Sequence, residues 1–195
     1  MKTYQEFIDL NEKFSDLGKL TPEQLKKGQV LSQDDDNFIQ VTSRVFYKAV
    51  SAIRDNDIAK GDKARGLATL TVYKIPEYDK MKCYLGKNNS SGYAIAHGTE
   101  LVSVFSSQGS SGDAIVVSAI ENGATHLDCF AIRKEKGIEG SLYKLYSRHG
   151  FKIDTSMNSG KQGEPYAIVK GVSSFVDDNE KVHEDDPRVV IFMKL

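Results

Sequence analysis

Leu101-Val102-Ser103-Val104-Phe105-Ser106-Ser107, followed by Gln108-Gly109-Ser110-Ser111-Gly112-Asp113-Ala114 and then IVVSAIEN to Asn122, is the stretch on which the fold turns. The first seven residues are mostly apolar and read as a strand, and the last run has the length and apolar content of a helix. A small, glycine-containing turn between them leaves free backbone N–H groups at the helix N-terminus. The macrodipole favours negative charge there as well, so the turn suits a pyrophosphate. Taken alone, the same glycines and serines serve equally as turn geometry and a helix cap.

A second element lies about thirty residues on. Leu142-Tyr143-Lys144-Leu145-Tyr146-Ser147-Arg148-His149-Gly150-Phe151 reads as an amphipathic helix that stops at Gly150, with Arg148 and His149 in its last turn where cations suit the dipole.

Together the two elements resemble the GNAT acetyltransferase superfamily. Gln108, Gly112 and Ala114 correspond to the glutamine, glycine and small residue of its first motif, and Tyr146, four residues before the Gly150-Phe151 pair, to the tyrosine of its second. The phrases GYAIAHGTELVSVFSS, ENGATHLDCF and LYSRHGF are most similar to GNAT-like proteins of bacteriophages and mobile elements. The resemblance implies an α/β (α+β) fold, a mixed, mostly antiparallel sheet flanked by helices, over residues 67–195. Residues 1–60 would form an N-terminal helical extension.

The activity so implied is transfer of acetyl from acetyl-CoA to an amine of a small molecule or protein. Gln108, Gly109, Ser110, Ser111, Gly112, Asp113 and Ala114 would cradle the pyrophosphate, and the backbone of Val104, Phe105 and Ser106 would align the pantetheine arm. Tyr146 would return a proton to the departing thiolate. For the base that takes the amine proton, two carboxylates present themselves. Asp128 shares a strand face with His126 by the period of two, and Glu100 opens the strand leading into the loop.

Asp113 cuts against this chemistry, because a carboxylate close to phosphates is repulsive. The positions after Gly109 are serines, so the loop carries no basic residue of its own. The alternative function is a catalytically inactive module of the same kind that binds a host or virion protein through its N-terminal helices or its acidic loop.

Composition narrows the class. With 26 Lys+Arg against 27 Asp+Glu in 195 residues, the net charge of −1 gives no attraction to nucleic acid or anionic membrane as a whole. No stretch approaches the ~20 apolar residues of a membrane span, and acidic residues occupy the start of the chain, which points to a cytoplasmic protein. Cys83 and Cys129 lack metal-site or redox spacing, and His97, His126, His149 and His183 show no ligand pattern, so no metal is expected.

Along the chain, helices are expected over residues 3–17, 21–28 and 38–53, followed by a polar linker over 55–66. Residues 67–75 alternate as a strand, and 76–85 read as a short helix or turn. Strands are expected at 91–97, 100–107, 125–132 and 189–195. The acidic segment 158–187 reads as a long loop.

Overall fold

The computed structural model describes residues 38–60, 70–86, 89–106, 112–157, 166–176 and 181–195. The helices expected at 3–17 and 21–28 lie outside them.

Among the described residues eleven strands form one mixed sheet. In chain order the elements are β1 (Ile39–Val41), α1 (Ser43–Lys60), α2 (Ile75–Tyr78), β2 (Lys82–Leu85), β3 (Ser91–Ala96), β4 (Glu100–Ser106), α3 (Gly112–Glu121), β5 (His126–Lys134), β6 (Gly137–Glu139), α4 (Ser141–Arg148), β7 (Lys152–Ile153), β8 (Tyr166–Val169), β9 (Val172–Val176), β10 (Val182–His183) and β11 (Arg188–Lys194). The sheet order is β1-β2-β3-β4-β5-β11-β9-β10, with β6 against β5, β7 against β11 and β8 against β9. β4 and β5 pair parallel, and the other pairings are antiparallel.

This corrects the expected architecture. Among the described residues the chain is a large sheet with four helices of 18, 4, 10 and 8 residues, in place of a GNAT-like sheet flanked by helices. One reason lies in the segment read as an acidic loop, which supplies β8, β9 and β10. Its apolar runs YAIV and VSSFV are too short for helices and carry β-branched and aromatic residues. Lys170 and Gly171 join them with φ of 53° and 78°, the two positive angles of a type I′ hairpin. Another reason lies at the other end of the sheet, where β1 pairs with β2 and α1 packs on the same strands. The helix of 38–53 therefore begins at Ser43 and runs through the expected linker to Lys60, while residues 70–74 of the expected strand are not in a ladder.

Alternating side chains send the two faces of the sheet into two cores. Tyr84, Tyr93, Ile95, Leu101, Leu127 and Cys129 pack with Ile115 and Val116 of α3 and Tyr146 of α4. Cys83, Leu85, Ala94, Ala96 and Val102 pack on the opposite face with Phe46 and Val50 of α1 and Tyr78 of α2. Phe46 is fully buried between the rings of Tyr78 and Phe105, at 5.1 and 5.8 Å, so truncation to alanine would cost about 3–5 kcal/mol.

β4 breaks the alternation once. Val102 and Phe105 belong to the same core although they are three positions apart, which in a regular strand puts them on opposite faces. Their partners on β3, Ala94 and Gly92, are two apart, so β4 carries one extra residue, a bulge. Ser103 has φ of 50° there, an uncommon conformation for a residue with a Cβ. A hydrogen-bond chain holds it: Tyr73 N–H donates to Tyr78 OH at 3.2 Å, Tyr78 OH lies 2.9 Å from Ser103 Oγ, and Ser103 Oγ donates to the Thr71 carbonyl at 2.9 Å.

Candidate functional site: a cleft between two diverging strands

The β4–β5 ladder covers two residue pairs, Glu100 with His126 and Leu101 with Leu127. It stops at the residues just before the bulge, and β5 next pairs on that edge with β6, from Ile132. Between them the strands diverge around a cleft of about 330 Å³, at the small end of ligand sites. Leu101 to Ser106 line one side and Asp128, Cys129 and Phe130 the other, with Gly112 and Ile115 of α3 and Leu142, Leu145 and Tyr146 of α4 closing one face. Leu70, Thr71 and Tyr73, from the segment clamped onto the bulge, close the other.

Tyr146 is 3% exposed and packs edge-on against Phe151 at 6.0 Å. Gly150, with φ of 97°, ends α4 in the left-handed conformation expected of it, and Phe151 N–H donates to the Tyr146 carbonyl. Burial pushes the Tyr146 phenol well above its ordinary value, with smaller contributions from Cys129 and Asp128, so it stays protonated through neutral pH. Cys129 is buried beside Met193, and burial raises its thiol to about 12, which removes it as a nucleophile.

Of the two carboxylates proposed as base, Asp128 lies in the cleft and Glu100 does not. Glu100 sits at the closed end of the β4–β5 pair, 4.0 Å from His97 Nε2. Both carboxylates act on Tyr73, whose phenol is raised to about 12, by burial first and by Asp128 and Glu100 after it.

Val104, Phe105 and Ser106 line the cleft as expected of a strand holding an extended ligand, and so does Gly112. A Cβ at Gly112 would meet Leu145 Cδ2 at 3.1 Å, so α3 and α4 approach closely there and a side chain at this position would press on the Leu145 methyl. Ala114 is half-buried in the first turn of α3 outside the cleft lining. Gln108, Gly109, Ser110 and Ser111 lie outside the described residues, as do the N-terminal helices proposed as a partner surface.

Asp113 differs from expectation. In place of a bare negative charge at the head of α3, it accepts hydrogen bonds from Arg148 Nε at 2.8 Å and Nη2 at 2.6 Å, and lies 2.6 Å from His149 Nε2. Its carboxyl is held below the usual range, by the His149 hydrogen bond first and by Arg148 after it, against an opposing effect of burial that ranks between them. Basic residues missing from the loop are thus brought to it by the end of α4. Their spacing of 35 and 36 residues from Asp113 carries no pattern a sequence could show.

Tyr73, Thr71 and Phe130 were also missed. Tyr73 sits in a run that reads as an ordinary strand, and Phe130 in the regular alternation of β5. Leu142 and Leu145 read as core, and they pack against it while also lining the cleft. Among the described residues no three His, Cys, Asp or Glu side chains are grouped to hold a metal ion, and no helix is long and apolar enough to cross a membrane.

Compared with protein-family models, curated proteins and solved structures, this chain matches none.

Proposed function

We propose that this protein transfers an acetyl group from acetyl-CoA to an amine, in the cleft between β4 and β5. The observation that carries the reading is the short parallel ladder, closed at Leu101 and Leu127 and open beyond. Across residues 102–105 and 129–131 the facing backbone edges have no ladder partner among the described residues. An extended chain with amide groups, such as a pantetheine arm, fits such an edge by adding hydrogen bonds to it as a strand would.

The cleft walls suit that chain. Val104, Phe105, Ile115 and Leu145 offer apolar contact, and the head of α3 beside it favours the negative charge of a pyrophosphate. Arg148 offsets the charge of Asp113 at that end, and His149 Nε2 lies within hydrogen-bond distance of the same carboxylate.

An acyl-CoA supplies a thioester carbonyl and a thiolate leaving group. The residues around it supply proton handling. Asp128 accepts the proton that an ammonium must lose before its nitrogen can attack. Tyr146, kept protonated by burial, donates a proton to the sulfur as the C–S bond breaks and the C–N bond forms, and the second amine proton returns to the Tyr146 oxygen.

Isothermal titration with acetyl-CoA tests the reading directly. A dissociation constant in the micromolar range, weakened when Gly112→Val fills the α3–α4 crossing, supports it. No heat of binding at millimolar acetyl-CoA overturns it.

A further inference from the structure

Helices α1 and α2 cover one half of a sheet face, the half made by β1 to β4. On the other half of that face, β5 turns Asp128, Phe130 and Ile132 outward, and Phe130 and Ile132 are 41% and 44% exposed. The β8–β9 hairpin meets them. β8 lies three strand spacings from β5, about 14 Å in a flat sheet, yet the Tyr166 ring centre is 6.2 Å from that of Phe130. The sheet therefore curls, and it sets Phe130, Tyr166, Phe175 and His183 in one row at 6.2 Å steps. Arg188 lies over the Phe175 ring, 4.5 Å from its centre.

This row starts in the cleft, because Phe130 and Asp128 line it. A small amine would need the cleft alone. A row of three aromatic rings and a histidine leading away from it, with an exposed isoleucine alongside, matches a longer acceptor with apolar side chains. The cleft end of the row carries the Asp128 carboxylate in its lining. That suits a cationic lysine at the point of entry.

Resting on the acetyl-transfer reading, we propose that the acceptor is a lysine side chain within a polypeptide, whose neighbouring apolar residues lie along the row from Phe130 to Phe175. The lysine enters as an ammonium, loses one proton to Asp128, and its nitrogen forms the bond to the acyl carbon. As the C–S bond breaks, sulfur leaves with the Tyr146 proton, the second proton on nitrogen returns to the Tyr146 oxygen, and Asp128 gives its proton to solvent.

Three probes test it on the full chain: a fluorescein-labelled ten-residue peptide with one lysine flanked by leucine, valine and phenylalanine, the same peptide with serines at those flanks, and Nα-acetyl-lysine methylamide. The apolar peptide should bind by fluorescence anisotropy at least tenfold more tightly than the serine peptide, with or without acetyl-CoA. Its kcat/KM should exceed that of the single-residue amide by a similar factor. Ile132→Asp, at an exposed position, and separately Tyr166→Ser should abolish both differences and leave turnover of the single-residue amide unchanged. Equal binding and equal turnover of the three probes overturn the proposal, as does concentration-dependent dimerisation in sedimentation that Ile132→Asp removes, which would assign the row to a second copy. Absence of acetyl-CoA binding with selective peptide binding retained would instead overturn the acetyl-transfer reading and leave the peptide surface standing.

Discussion

Arg148, at the end of α4, donates two hydrogen bonds to the carboxylate of Asp113, in the first turn of α3, through Nε at 2.8 Å and Nη2 at 2.6 Å. The pair ties together the two helices that close one face of the cleft. It also turns the least favourable residue of the loop motif into a neutralised one. Without Arg148, the Asp113 carboxylate at the head of α3 would lose its guanidinium partner and face any anion bound there. Arg148→Ala should therefore weaken acetyl-CoA binding about fivefold, the scale of one charge near a helix terminus. Asp113→Asn should restore most of that loss in the double variant, read by titration calorimetry as a double-mutant cycle. Additive losses in the cycle would separate Asp113 from the binding of the anion.

Tyr146→Phe removes the phenol while keeping the ring against Phe151. Its kcat should fall about 100-fold, the usual worth of a positioned acid, with the dissociation constant for acetyl-CoA unchanged. Burial holds the wild-type phenol above the free value of ~10. The wild-type rate should accordingly show no loss of a protonated acid between neutral pH and about 10, as initial rates across buffers would reveal.

Ser103 has a positive φ and two hydrogen bonds, so its replacements should rank in a particular order. Ser103→Ala loses the bonds and should cost about 1–2 kcal/mol. Ser103→Val adds β-branching at positive φ and should cost about 2–4 kcal/mol. Urea unfolding gives both values. Straightening of β4 in the valine variant should also lower acetyl-CoA affinity, because the bulge lies where β4 parts from β5.

Asp154 gives a prediction in acid. It accepts hydrogen bonds from Ser156 N–H at 3.0 Å and Ser156 Oγ at 2.6 Å, and its Oδ1 is 2.8 Å from Lys194 Nζ. Lys194 first, then Ser156, lower its carboxyl to about 2. A carboxyl lowered on folding contributes stability that is full above its unfolded value near ~4 and lost as pH falls through the folded value. Wild-type protein should therefore lose up to about 2 kcal/mol from this group between pH ~4 and ~2, less than the full shift implies because Lys194 is half-exposed. Lys194→Met should flatten that part of the curve in chemical denaturation at stepped pH.

Local signals carried the sequence reading where one element decides the outcome. The strands at β3, β4, β5 and β11, the helix stop at Gly150 and the strand-to-helix passage around Gly112 follow from short-range alternation, apolar content and glycine conformation. Short apolar runs such as YAIV and VSSFV were read as loop because an acidic composition masked two-residue periodicity over a few positions.

The amino-acid order by itself determined that β4 leads into α3 and that Tyr146 ends a helix one turn before a glycine, since both depend on neighbours a few residues apart. Tertiary structure alone decided that Ser103 would bulge, that β4 and β5 would part after Leu101, and that Asp113 would meet Arg148. Each of these needs groups 25 to 35 residues apart to be brought within hydrogen-bond or ladder distance. No local periodicity records such a meeting, because its energy comes from the packing of the sheet as a whole.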